Sequence, residues 1–387
     1  MNYLTINLEA LFHNYLTIQK WMRNHSARWA MVTKVLCGNT QVLKALAAMG
    51  MHAVGDSRLS NLKTIKKLVT DSECWYLRVP GPSMIDRVVE LSDVSLNSEI
   101  ETIASLNEAA GRQGRIHHVV IMIELGDLRE GILPGSLINF YEAVFNLPNI
   151  EVLGIGANLG CLAGVAPSID QFMQLALYRE LLELKFERKL PLISAGSSAA
   201  LPLLLDGTAP KSINHFRIGE SLFLGTDLIH GGTLPELRDD VMLLHTEISE
   251  LKEKSLAPAA EASSIAPFAE EAPADPQAGQ RGYRALVGVG QLDTEITGLA
   301  PLNPEHEIAG ASSDITVVNL GSDPNGLSVG DSIDFRMNYA ALLRLMNCRY
   351  IKKILSPSLE EFQEMMKEQY HPQEGILENG RIKQPYS

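Results

Sequence analysis

A lysine, Lys34, stands inside the otherwise apolar run Trp29–Leu36 (WAMVTKVL). An ammonium group in such a setting is costly unless it is paired, neutralised or used covalently. Desolvation lowers an amine's pKa, which is what a Schiff-base lysine requires. The alternative is a strand-edge lysine that snorkels to solvent. A second stretch, SAGSSAALP at 194–202, is a turn of small residues that opens an apolar helix. Small residues let the backbone approach a ligand, amides at a helix start attract an anion, and Ser197 and Ser198 add hydroxyl donors. An ordinary helix cap would look similar. A third stretch, FRIGESLFLG at 216–225, places Arg217, Ile218 and Gly219 just beyond it.

Eight short apolar runs position these residues: Trp29–Leu36, His52–Val54, Trp75–Val79, Val94–Leu96, Val119–Glu124, Val152–Ala157, Leu192–Ala195 and His215–Ile218. Between them lie segments such as Gln41–Met49 and Ser60–Leu68, with apolar residues three and four apart. Strands alternating with helices imply parallel βαβ units, and eight such units imply a (β/α)8 barrel of the TIM type. An open doubly wound sheet is the competing arrangement. Polar residues fall just past the strand candidates: Lys34, Asp56, Arg58, Arg78, Asn97, Arg129, Asn158, Ser197, Ser198 and Arg217. A barrel gathers these ends on one face, where four arginines and a lysine would make a cavity for anionic groups. The loops after the seventh and eighth strands are the usual phosphate site of such a barrel, and Ser197, Ser198, Arg217 and Gly219 fall there.

The chain changes character after residue 234. VMLLHTEISELKEK, YRALVGVGQL, EIAGASSDITVVNL and GDSIDFRMNY read as strands broken by Gly, Pro and Asp. Residues 255–280 carry nine Ala, four Pro and neither Lys nor Arg, a low-complexity insertion. The expected organisation is therefore a barrel over 1–234, a smaller, mostly β domain over 235–350 containing that insertion, and a C-terminal helix and tail over 351–387.

The 387 residues and 45% hydrophobic content suffice for a large core. An excess of 46 acidic over 33 basic residues, net −13, argues against nucleic acid or an anionic membrane as the partner. No apolar run approaches the ~20 residues of a membrane helix. The start, MNYLTINLEALFHNY, has no basic segment followed by an apolar one, so no signal peptide is expected. Cys37, Cys74, Cys161 and Cys348 are scattered, without ligand spacing. They read as free thiols of a cytoplasmic protein, and no metal site is expected.

The segments VTKVLCGN, GDSRLSNLKTIKKL, SLNSEIETI, MIELGDLREGI, GIGANLGC, SAGSSAALPLLL, HFRIGES, GASSDITVV and NYAALLRLM follow one another in order. As a set they resemble the ornithine racemase branch of the alanine racemase-like, fold-type III pyridoxal-phosphate enzymes. The resemblance covers most of residues 1–350. It implies pyridoxal 5'-phosphate as cofactor, an amino acid such as ornithine as substrate, and a homodimer whose active sites are shared between subunits. Lys34 matches the lysine that bonds the cofactor and serves as one catalytic base. Arg217 matches the arginine on the pyridine nitrogen. A guanidinium does not give up its proton, so the ring nitrogen would stay unprotonated, which favours return of the proton to Cα over transamination. Ser198, with Ser197, Ile218 and Gly219, matches the phosphate cradle, and Tyr339 a tyrosine that reaches the phosphate. Arg129 matches the arginine near the phenolic oxygen. Asn158 falls where alanine racemase proper has a ring-contacting histidine. Ser313 and Asp314 fall near the segment that holds the substrate carboxylate, from the partner subunit.

The pattern departs from alanine racemase at the second base. That enzyme uses a tyrosine of its C-terminal domain, and Tyr283 is the nearest by position but has no matching motif. Cys161, Asp293 and Asp314 are the other candidates for the opposite face. Ile123 stands just before Glu124, where some alanine racemases carry a modified lysine, so that feature is expected to be absent. A basic substrate would need a carboxylate in the pocket, for which Asp56, Glu124, Asp127, Asp293 and Asp314 are available. The competing functions are a pyridoxal-phosphate carrier without turnover, which would not need the β domain, and a fold-type III decarboxylase or aldolase.

Overall fold

The computed structural model describes residues 1–160, 162, 164–256, 280–324 and 326–369. Cys161 and nearly all of the low-complexity insertion lie outside these. The first strand, β1 (Tyr3–Asn7), leads into an 18-residue helix, Leu8–His25. Eight strands then close a parallel barrel: β2 (Arg28–Val32), β3 (Ala53–Asp56), β4 (Glu73–Tyr76), β5 (Val94–Asn97), β6 (His117–Met122), β7 (Ile150–Gly156), β8 (Leu192–Ser197) and β9 (His215–Ile218). All eight runs read from the sequence become these strands. Pairing of β2 with β9, from Arg28↔His215 to Met31↔Ile218, closes the ring and excludes the open sheet.

Strands buried on both faces read as continuous apolar runs, and β5 (VSLN) is buried at every position. Inside the ring, Ala30, Trp75, Val94, Leu96, Val120, Met122 and Leu192 form their own cluster. A larger core lies between the strands and the surrounding helices. Gly196 is required here by packing. A Cβ on it would lie 2.0 Å from the Phe216 ring, which is wholly buried on the neighbouring strand.

The remaining strands form a mixed sheet: β10 (Met242–Ser255), β11 (Arg281–Val287), β12 (Leu299–Pro301), β13 (Glu307–Ala311), β14 (Thr316–Gly321), β15 (Ser332–Met337) and β16 (Lys352–Ser356). Its order is β12-β15-β10-β11-β14-β13, and β1 joins it, antiparallel to β10 and parallel to β16. The insertion joins β10 to β11, which pair from Ile248↔Val287 to Ser255↔Arg281.

Two segments therefore sit elsewhere than the sequence divisions placed them. The sequence pattern puts residues 3–7 with the barrel and 352–356 with the tail, yet both are strands of this sheet. A five-residue strand carries too short an alternation to announce its partner. The helix Tyr339–Asn347 packs on the turn Lys34–Leu36, and the helix Leu359–Gln369 on the barrel helix Thr40–Ala48. Among the described residues no helix is long and apolar enough to cross a membrane.

Candidate active site

Lys34 opens a single 3-10 turn, Lys34–Leu36, at the carboxyl end of β2. The turn is anchored from beneath. Thr33 donates its N–H to the Gly55 carbonyl (2.9 Å) and its hydroxyl to Asp56 (3.0 Å). Asp56, wholly buried, also accepts from the Arg58 amide (2.8 Å) and the Asn61 side chain (3.2 Å). Burial pushes its carboxyl up, and these hydrogen bonds hold it back. Asp56 thus organises the turn under Lys34 and is no longer available to bind a substrate.

The Lys34 side chain itself is exposed, and its Nζ lies 5.9 Å from the centre of the Tyr339 ring. An ammonium group is attracted to the negative face of an aromatic ring. Tyr339 is the first residue of its helix, which Asn338 caps by accepting from the Ala341 amide (3.0 Å). The barrel and the C-terminal domain therefore meet at this pair.

Across the β2–β9 seam the pairing brings Gly219 against Val32, and a Cβ on Gly219 would lie 3.0 Å from the Val32 carbonyl. The next residue, Glu220, is half-buried, and the charge that acts on it is Lys34. Burial pushes its carboxyl up to about 7, against the pull of the ammonium. A carboxyl raised on folding from an ordinary 4.5 stabilises the fold below about 4.5 and loses that contribution as pH rises through about 7. Glu220→Gln removes the titration. Thermal melts of wild type and variant across pH 5–8 are expected to converge at the acid end and separate above it. The variant should be the more stable there, by on the order of 2 kcal/mol. Parallel pH profiles would contradict this.

Arg217, on β9, is buried and reaches two neighbouring strand ends. Nη1 donates to the Ser194 carbonyl (2.6 Å) and hydroxyl (2.5 Å); Nη2 donates to the Ala157 carbonyl (2.9 Å) and Asn158 Oδ1 (3.0 Å). Since the Ser194 oxygen accepts from Arg217, its own proton goes to His215 Nδ1, 2.8 Å away. Burial first, and the Arg217 charge second, hold His215 far below its usual pKa, so it stays a neutral acceptor, stacked on Trp75 at 4.3 Å. Asn158 passes the network on, donating to Glu130 (2.9 Å). Glu130 takes the Arg129 guanidinium through two bonds of 3.0 and 2.9 Å.

A face that gathers four arginines and a lysine is expected to suit anionic groups; Arg129 on that face is matched by Glu130, with Asp127 3.9 Å away. A bidentate guanidinium–carboxylate pair neutralises most of that charge. Glu124 is also committed, accepting the amides of Gly126, Leu128 and Arg129 in the turn that follows β6. Asp127, almost wholly buried, accepts from the Leu162 amide (2.9 Å).

At the ends of β8 and β9, Ser198 accepts from the Ser221 amide (3.2 Å), and Ser197 donates to the Leu159 carbonyl at 3.5 Å. Lys34, Tyr339, Asn158, Ser197, Ser198, Arg217, Ile218 and Gly219 therefore lie on adjoining strand ends or on the helix that packs against them. Ser313 and Asp314 do not join them within the chain. They occupy an exposed turn between β13 and β14, with the Ser313 hydroxyl donating to Asp314 (3.2 Å). Asp293 accepts from the Cys348 thiol (3.3 Å) and the Gly290 amide (3.1 Å). Tyr283 lies on β11 opposite Gly321. Among the described residues no group of three or more His, Cys, Asp and Glu side chains forms a metal cage.

A family described as alanine racemase, N-terminal domain, matches residues 6–227. An ornithine racemase from Acetoanaerobium sticklandii is 36% identical over 91% of this chain and 99% of its own length. The chain belongs to the alanine racemase family. A lysine racemase from Thermotoga maritima is 29% identical over 92% of the chain and 99% of that protein. Solved alanine racemases share the fold. One from Bartonella henselae, described with covalently bound pyridoxal phosphate, superposes with a TM-score of 0.69 at 14% identity, over 92% of this chain and 99% of that one. One from Pseudomonas aeruginosa gives 0.67 at 17%, over 92% and 98%.

In this family member Ser194, His215, Glu130 and Glu220 also border the candidate site. Glu220 carried a usable signal, a lone carboxylate in the apolar run RIGESLFL. Ser194 and His215 became meaningful only once β8 and β9 set them opposite each other.

Proposed function

We propose that this chain is a pyridoxal-phosphate-dependent racemase of basic amino acids, with ornithine as its first substrate and lysine as its second. The observation that carries the reading is chain-long likeness to an ornithine racemase in a protein whose Lys34 amine stands at a barrel strand end beneath Tyr339. The donor set suits the cofactor. An amine just past β2 can bond an aldehyde, a buried guanidinium on β9 keeps its protons, and two serine hydroxyls where β8 ends can donate to a phosphate.

In this reading Ser197, Ser198, Gly219, Ile218 and Tyr339 hold the phosphate, Arg217 holds the ring nitrogen, and Asn158 and Arg129 border the ring. Bound there, pyridoxal phosphate supplies the electron-withdrawing ring that acidifies the substrate Cα–H. Lys34 takes or returns that proton on one face. Inversion needs a second base on the other face, which one wall of a barrel cannot provide. Asp314 and Cys161 are the candidates we retain. Asp314 is exposed and Ser313 half-buried in the single chain, which suits a homodimer in which each C-terminal domain completes the neighbouring site; a cytoplasmic location goes with this reading.

The test is direct. Purified protein loaded with pyridoxal phosphate is given each L-amino acid in deuterated water. Exchange at Cα by NMR and D-product by chiral chromatography are expected with ornithine and lysine. A protein that binds the cofactor yet exchanges no amino acid would be the carrier. Decarboxylated or cleaved product would mark another fold-type III reaction.

A further inference from the structure

The helix Ile169–Phe186 is apolar on two sides. Phe172, Leu175 and Leu182 are buried against the barrel. Ile169, Met173, Leu177, Leu181 and Leu184 lie on the opposite face and are 42–81% exposed. Spacings of 4, 8, 12 and 15 from Ile169 place all five along one stripe of a 3.6-residue helix. Exposed apolar residues scattered singly are ordinary; five in line expose roughly 500 Å², the size at which a patch marks a contact. The active site does not use this face, since it runs down the outside of the barrel.

We infer that this stripe packs against the same stripe of a second copy, the two helices antiparallel about a two-fold axis at Leu177. The pattern is complementary to itself in that orientation. Met173 meets Leu181, and Ile169 and Asp170 meet Leu184 and Lys185. The acidic residue of the first turn, Asp170, lies beside the basic residue of the last, Lys185. A parallel pair would set Asp170 against Asp170 and lose this match. Doubling the stripe gives the ~1,000 Å² that a specific interface needs. The contact is separate from the sharing of active sites through the C-terminal domain, and it does not rest on the proposed activity.

Light scattering on the full chain tests it. Leu177→Glu with Leu181→Glu is expected to halve the particle mass at micromolar concentration, with far-UV circular dichroism unchanged. Cross-linking tests the geometry. Leu177→Cys is expected to give a covalent dimer on mild oxidation that wild type does not give. Leu184→Cys is not, because antiparallel packing holds its two copies about 21 Å apart along the helix axes. An unchanged mass in the double Glu variant, or cross-linking as efficient at 184 as at 177, would overturn the inference. A mass that stays the same while the Glu substitutions abolish binding to lipid vesicles would assign the face to a membrane surface and overturn it as well.

Discussion

Lys34→Ala is expected to reduce racemisation by at least about 10³-fold while leaving the fold intact. The size follows from losing a nucleophile and a general base in one side chain; proton transfer alone accounts for ~10²–10⁴. The fold survives because the Lys34 side chain is exposed, and the turn that carries it is held by Thr33 and Asp56. Melting should therefore stay within about 0.5 kcal/mol of wild type, as for an ordinary surface substitution. A second readout separates attachment from turnover. Borohydride treatment of the loaded protein is expected to fix pyridoxal phosphate on wild type, seen as added intact mass, and to leave the variant unlabelled. A variant that racemises within tenfold of wild type, or is labelled equally, would remove Lys34 from the chemistry.

The second large effect is on stability. Arg217→Met is expected to cost on the order of 3–5 kcal/mol. Its guanidinium serves the Ser194 carbonyl and hydroxyl, the Ala157 carbonyl and Asn158, all within the buried ring of strand ends. Methionine fills much of the volume and donates to none of them. The Ser194 carbonyl keeps the Ala157 amide (3.2 Å) and its hydroxyl keeps His215, so the loss falls on the Ala157 carbonyl and Asn158 Oδ1, at about 1–3 kcal/mol for each buried acceptor left without a donor. Release of Asn158 also frees Glu130, so the Arg129 turn should loosen and turnover fall with stability. Arg217→Lys should lie between, since an ammonium is a point donor where the site presents a fork. Chemical denaturation of the three proteins measures this. Equal midpoints for wild type and Arg217→Met would show that the network contributes little.

These two residues are legible in the chain because their signals are local. A lysine at the end of one apolar run and an arginine near the end of another break the pattern of their neighbours. Asp56 is visible for the same reason, as one of five carboxylates available to a basic substrate, but its task is not legible. A carboxylate past a strand end can face a ligand or hold its own loop, and only the approach of Thr33 and Asn61 decides which. Nor is the pairing of Arg129 with Glu130 legible in the chain, since neighbours in sequence need not turn toward each other.

By itself the sequence determined the (β/α)8 barrel, the position of Lys34 at a strand end, and the change to β structure after residue 234. These follow from periodicity and burial, which act over a few residues. The tertiary structure decided that β1 and β16 join the C-terminal sheet, that Tyr339 lies over Lys34, that Glu220 sits in the field of Lys34, and that Arg217 ties three strand ends together. Such pairings depend on strand register and on how two domains meet. Both are set by the sum of many distant contacts, and no short stretch of chain carries that sum.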